Sequence, residues 1–174
     1  MDKTALYKLS YGLYVVGVKA PQWFGGCVVD AVAQVDGGTP PILILSCLKN
    51  NWTNELLKAE KEFTLSVLPE NVDPFVLANF GLQSARAVDK WRNVPHTVKD
   101  GLPALQDAAA YLRCQVTENK ELPEHTVFFC SVLDAWPGVP VKPLIYADYR
   151  QNLQPAAKEA FQKFKEQAKA ESFL

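Results

Sequence analysis

Gly25–Thr53, GGCVVDAVAQVDGGTPPILILSCLKNNWT, is the stretch on which the fold of this chain turns. Gly26–Val35 has the β-branched content of a strand. If it runs unbroken, Val28, Asp30, Val32 and Gln34 share one face and Val29, Ala31, Ala33 and Val35 the other. Asp36–Pro41 (DGGTPP) is a turn by its chemistry, because glycine supplies positive φ and proline stops ladder pairing. Ile42–Leu48 (ILILSCL) is apolar on both faces, as a centrally buried strand would be. Lys49-Asn50-Asn51-Trp52-Thr53 then opens a helix over 53–61, with Asn51 or Thr53 available as N-cap. Free backbone N–H groups at a helix start carry partial positive charge and Lys49 adds a full one, so this junction can seat an anion such as a phosphate monoester.

Working outward, Tyr11–Lys19 reads as a strand and Ala20–Gly26 as a turn. Phe63–Leu68 alternates cleanly as a strand. Asp73-Pro74 starts a short helix ending near Phe80. Gly81–Gly101 is a long polar loop, of a length that usually serves function. Ala109–Glu118 is a strand with Ala110, Leu112, Cys114 and Val116 inward, His125–Trp136 is a long one, and Leu144–Tyr146 a short one. Pro155 opens an amphipathic C-terminal helix striped by Ala157, Phe161, Phe164 and Ala168. Six or so strands that do not alternate with helices exclude a doubly wound α/β fold. They predict a mainly β, α+β architecture: an antiparallel closed or split barrel with a few peripheral helices, forming one domain over residues 1–174.

The totals narrow the function. With 174 residues, 48% hydrophobic and 21% charged, the chain can bury a full core. A net charge of −1 gives no field for nucleic acid or an anionic membrane. No apolar run reaches the roughly 18 residues of a membrane span, and MDKTALYKLSYG lacks signal-peptide character. The expected location is the cytoplasm. Cys27, Cys47, Cys114 and Cys130 form no CxxC pair and sit in apolar stretches, as buried thiols do. With His96 and His125 the only histidines, no histidine-rich metal site is expected. Neither a GxSxG elbow, a Rossmann fingerprint nor a P-loop is present. In the loop, Arg86 can fork onto a phosphate and Trp91 can stack on a planar ring, or both can belong to a solvated loop with internal ion pairs. His125 can donate to a bound ring or ribityl group, or cap its strand.

LYVVGVK, GCVVDAVAQV, KNNWT, EFTLSVLPE, FGLQSARAVDKW, GLPALQDAAAYLRC, HTVFFCSVLDAW and PLIYADYR, in this order, resemble the flavin reductase-like family of FMN-binding split barrels. The branch they resemble is the flavoredoxin-like one, which includes the flavin domain of high-molecular-weight rubredoxins. The resemblance implies a homodimer binding FMN, with FAD less favoured. Val28, Val29, Asp30, Ala31, Ala33 and Gln34 would line the ring and ribityl chain. Ser46, Cys47 and Leu48 at the strand end, with Lys49, Asn51, Trp52 and Thr53 at the helix start, would surround the phosphate end. Ser84, Arg86, Asp89 and Trp91 would close over the cofactor, with His125 beside it.

In such a protein the flavin carries the chemistry, and no side-chain acid or base is required. NAD(P)H would donate hydride, and electrons would pass to free flavin or to a partner such as rubredoxin. The same site could also serve an electron carrier with no NAD(P)H turnover, or a barrel that has lost its flavin. Three departures stand out. Asp30-Ala31 stands where the family often has Asn-Thr or Thr-Ser-like polar pairs, which removes a hydroxyl at Ala31 and, by the resemblance, would set a carboxylate near the ring. Ala85 stands where glycine is usual. No CxxC module follows, so an iron partner would be a separate protein.

Overall fold

The computed structural model describes residues 1–172. Its strands are β1 Tyr14–Val18, β2 Gly25–Val29, β3 Val32–Asp36, β4 Ile42–Leu48, β5 Glu62–Val67, β6 His96–Lys99, β7 Leu102–Leu105, β8 Ala110–Glu121 and β9 His125–Pro137. The helices are α1 Trp52–Glu60, α2 Pro74–Gly81, the short turn α3 Tyr146–Asp148, and α4 Gln154–Glu171, with a π-helical turn Tyr149–Leu153 between the last two. Seven strands form one antiparallel sheet in the order β2-β1-β5-β8-β9-β4-β3, and β6 pairs with β7 apart from it. No described helix is long and apolar enough to cross a membrane.

The stretch predicted as one strand over 26–35 is two. β2 ends at Val29 and β3 begins at Val32, and the two lie at opposite ends of the sheet. Only Asp30 and Ala31 join them, so the chain steps from one edge to the other in two residues and the sheet rolls closed. The Val32 amide donates to the Asp30 carbonyl at 3.0 Å, and the Ser46 amide of β4 donates to the Ala31 carbonyl at 2.9 Å. This joint shifts the alternation of faces. Cys27 and Val29 of β2 enter the barrel core, while on β3 it is Val32 that packs there. Ala33, Gln34 and Val35 are exposed. The predicted face of Val28, Asp30, Val32 and Gln34 therefore does not exist.

The barrel core collects Val16 and Val18 from β1, Leu43, Leu45 and Cys47 from β4, Phe63 and Leu65 from β5, and Leu56 and Leu57 from α1. The four cysteines are free and all buried in it. Burial pushes Cys114 up, and Cys130 to about 12, so both stay thiols at neutral pH. A second core lies outside the barrel, where Leu13 and Val15 meet Leu77 and Phe80 of α2, Trp91, and Ala157 of α4. Phe75 packs on Phe164 at 4.9 Å between ring centroids, which fixes α4 against α2.

Local chemistry explains the helix starts. Asn51 is the N-cap of α1, its side chain accepting from the Thr53 amide at 3.1 Å. Asp73 caps α2 through the Phe75 amide, with Pro74 at the first turn. Two expectations are corrected. Within the predicted loop 81–101, Trp91–Asn93 forms a 3-10 turn and His96–Lys99 is a strand, paired to β7 through Asp100 and Gly101 at positive φ. Leu144–Tyr146 forms no strand, only an isolated bridge from Ile145 to Gly12 before the chain turns helical.

Candidate functional site

Two hollows meet along the outside of the barrel joint. The first, of about 280 Å³, has Leu13, Val28, Val29 and Asp30 on its barrel wall and Leu77, Ala78, Gly81 and Leu82 of the α2 end as its floor. Its far wall is Tyr146, Tyr149, Gln154, Ala157 and Lys158. The second, of about 320 Å³, is bounded by Leu48, Asn50 and Asn51 before α1 and by Gly81, Leu82, Gln83 and Ser84 after α2. Gly81 and Leu82 belong to both, so the hollows form one groove. Its first half is apolar and faced by tyrosines, with one carboxylate and one ammonium at its walls. Its second half is lined by amides and a hydroxyl and by no charged side chain. Larger hollows of about 630 Å³ and 470 Å³ lie elsewhere, the first beside Lys19, Trp23 and Arg92 and the second beside Val72, Pro95 and Val139. Neither touches the joint or the start of α1.

The expected site residues divide accordingly. Val28, Val29, Asp30, Leu48, Asn51 and Ser84 line the groove. Ala33 and Gln34 lie past the joint, in an apolar hollow at the barrel mouth beside Tyr14 and Leu112. Ala31 and Ser46 are joined by the backbone bond that closes the barrel. His125 sits opposite Leu48 in the β4–β9 register.

Several side chains do not take the positions expected of them. Lys49 lies against β8, where its Nζ meets a Glu121 carboxylate oxygen at 3.1 Å. Lys58, at 2.6 Å, and Lys49 together hold the Glu121 carboxyl down at about 2. Arg86 lies over the Trp52 ring and donates to both carboxylate oxygens of Glu55, at 2.7 and 2.8 Å. Asp89 accepts from the amides of Trp91 and Arg92. Trp91 does not stack on a ligand: it is 1% exposed, its indole N–H donates to the Gly25 carbonyl at 2.9 Å, and its ring meets Phe80 edge-on. A Cβ at Gly26 would strike the Val16 carbonyl and crowd that indole, so bare backbone is needed there. Cys47 and Thr53 are buried as well, and Thr53 Oγ1 has no hydrogen-bond partner.

The groove also uses residues that the sequence did not mark. Asn50, Gln83, the α2 end and the Tyr146–Lys158 wall have no local signature, since it is the docking of α4 on α2 that brings them together. Behind the floor runs a buried polar chain. Gln83 donates to Asn79 Oδ1 at 2.6 Å, Asn79 donates to the Lys90 carbonyl at 2.8 Å, and Lys90 Nζ donates to the carbonyls of Phe80 and Gly26, both at 3.1 Å. Among the described residues no group of histidine, cysteine or carboxylate side chains could hold a metal ion.

The sequence of residues 6–153 matches the family model described as "Flavin reductase like domain". The chain belongs to this family. Among flavin reductase-like proteins, a high molecular weight rubredoxin of Moorella thermoacetica is 34% identical over 87% of the chain, which spans 66% of that protein's length. A ferric-chelate reductase (NAD(P)H) of Archaeoglobus fulgidus is 32% identical over 86% of the chain and 89% of its own length. The solved styrene monooxygenase flavin reductase of Pseudomonas putida S12 superposes with a TM-score of 0.71 at 27% identity, covering 84% of this chain and 92% of that one. The fold is thus the split barrel of flavin reductase-like proteins. The family match stops at Leu153, and α4 follows it.

Proposed function

We propose that this chain binds FMN in the groove between the Asp30–Ala31 joint and the start of α1. It passes electrons from NADH or NADPH to free flavin or to a redox protein such as rubredoxin. One observation carries the reading: an apolar, tyrosine-faced cleft runs into an amide-lined one across Gly81 and Leu82. That sequence of surfaces suits a planar ring with a polar phosphate tail. The tail half has no aromatic side chain on which an adenine could stack, which favours FMN over FAD. Support also comes from the family, and from relatives named as a rubredoxin and an NAD(P)H-dependent reductase.

When bound, the flavin supplies hydride acceptance and onward electron transfer. The chain's own residues bind and orient it. Val28, Leu77 and Leu82 exclude water from the ring, Asp30 presents a carboxylate beside it, and Asn50, Asn51 and Ser84 offer donors to the phosphate. Exposed apolar side chains on β3 and β9, Val35, Phe129 and Leu133, give a surface on which two copies could pair as a homodimer.

The protein reconstituted with FMN should show absorbance near roughly 450 nm. Stopped-flow mixing with NADH and NADPH should bleach that band within seconds. A band that persists for minutes with both nucleotides would overturn the reductase reading. The wall that α4 adds over the ring half favours a second reading, an electron carrier reduced by a partner protein, and that outcome would select it.

A further inference from the structure

A hollow larger than either half of the groove lies apart from it. About 630 Å³ in volume, it opens between the turn that follows β1 and the segment from Asp89 to His96. Small-molecule sites run from roughly 300 to 1,000 Å³, so it has room for a ring with substituents. Trp23 and Phe24 give it an aromatic wall. The Trp23 indole N–H donates to the Ala85 carbonyl at 2.8 Å, which fixes the ring in place before any ligand arrives.

Lys19, Arg92 and His96 also border this hollow. The cations of Lys49, Lys58, Arg86, Lys99, Arg113 and Lys163 each meet a carboxylate, whereas neither Lys19 nor Arg92 has an ion-pair partner among the described residues. Lys19 is laid along the Gly101 turn, where a Cβ on Gly101 would come within 3.2 Å of its Cε and 3.4 Å of its Nζ. His96 Nδ1 donates to the Val94 carbonyl at 2.9 Å, and the imidazole meets the Trp91 ring edge-on at 5.6 Å. With Nδ1 engaged, Nε2 is left for a ligand. The hollow's one carboxylate, Asp89, is already in use, a single oxygen accepting from the Trp91 and Arg92 amides at 3.1 and 3.2 Å. Positive side chains therefore outnumber negative ones here, in a chain whose net charge is −1.

We propose that this hollow is a second ligand site, which takes a planar aromatic ring carrying an anionic group, a carboxylate or a phosphate. The ring lies against Trp23 and Phe24, and the anion meets Arg92 and Lys19. Both cations are exposed, so water and salt screen them and an anion without a ring gains little from them. A ring without a charge leaves them unused. Affinity needs the two together. The site does not depend on the flavin reading, although it shares a segment with the groove: Ser84 lines the groove's polar half, and its neighbour Ala85 holds Trp23.

The test is isothermal titration of the protein loaded with one equivalent of FMN. Two pairs of probes are used, AMP against adenosine and indoleacetate against indoleacetamide, with inorganic phosphate as the probe that has no ring. At least one anion should bind about tenfold tighter than its neutral partner and than inorganic phosphate, with the flavin still bound. The pair that shows the preference tells phosphate from carboxylate. The double variant Lys19→Gln/Arg92→Gln alters exposed side chains and should fold; it should lose the preference while keeping the affinity for the neutral partner. Trp23→Leu should weaken both members of the pair, and undiminished binding there would overturn the proposal. Should Trp23→Leu fail to fold, the double variant decides. No preference in the wild type overturns the proposal. A preference that survives in the double variant, or an anion that displaces the flavin, places the ligand elsewhere and overturns it equally. Should the wild type take up no FMN, the flavin reading falls by itself, and the same titrations of the flavin-free chain decide this site.

Discussion

Asp30 and Lys158 look into one cleft from opposite walls, and neither has an ion-pair partner among the described residues. One stands on the joint that closes the barrel, the other on the helix beyond the family match. A carboxylate beside the ring opposes the negative charge that reduction brings, and an ammonium across the cleft offsets it. Asp30→Asn should raise the midpoint potential of bound FMN and Lys158→Met should lower it. Each tenfold change in relative affinity for the reduced form is worth roughly 30 mV for a two-electron couple. Redox titration of the three proteins checks this, and equal potentials would remove the pair from flavin tuning.

Trp91 and Arg86 lie five residues apart in the loop but differ in kind. Trp91→Ala empties a fully buried site and breaks the bond to Gly25, and should cost about 3–5 kcal/mol. Arg86→Ala removes an ion pair whose two side chains are each 60% exposed, and should cost less than about 1 kcal/mol. Denaturant unfolding measures both. Similar costs would mean that the loop's packing is not as described.

Asn51 has two roles that substitution can separate. Asn51→Ala removes the α1 cap, with a loss of about 1 kcal/mol in stability. Asn51→Asp keeps a capping oxygen and so the stability, but sets a carboxylate in the polar half of the groove. FMN affinity should drop in Asn51→Asp while riboflavin affinity holds. Isothermal titration with the two ligands decides, and undiminished FMN binding would move the phosphate away from Asn51.

Lys90 also predicts how stability depends on pH. Its folded value is lowered to about 8 from 10.5, so between these values the unfolded chain binds the proton and the folded one does not. The unfolded state then holds more protons and stability rises with pH across this window, by on the order of 3 kcal/mol at most. Below about pH 8 the cost of the buried charge is present in full. Lys90→Met should flatten the rise in urea midpoints measured between pH 7.5 and 10. A wild-type midpoint that falls smoothly across that range would contradict the assignment.

Much of the fold was legible because it rests on local chemistry. The Asn51 and Asp73 caps, the alternation in β5 and the continuous apolar run of β4 can all be read residue by residue. Three features could not be read in that way. The break at Asp30–Ala31 lies within a run of strand-forming residues and exists because closure of the barrel needs a crossing there. The β6–β7 hairpin did carry its Asp100-Gly101 turn signal, but Pro103 and the surrounding polar residues masked it. Trp91 and Lys90 sit in a segment that is polar by composition, and only the packing of α2 against β2 buries them. The site was less legible. The strand alternation did not mark its barrel wall, and of the residues the resemblance implied there Val28, Val29 and Asp30 line the groove while Ala33 and Gln34 do not, whereas the α2 floor and the α4 wall arise from contacts between segments distant in sequence.

The two-residue joint means that the barrel has a seam, and that the groove lies along it. One bank of the seam is β2, the other is β4 leading to α1, and the backbone bond from Ser46 to Ala31 ties the joint to β4. A ligand reaching from Val28 to Asn51 would act as a rivet through both banks, since it touches each and is part of neither. Loss of that ligand would loosen the barrel there first, so the amides of Val32 and Ser46 should report an empty protein by exchanging ahead of the rest of the sheet.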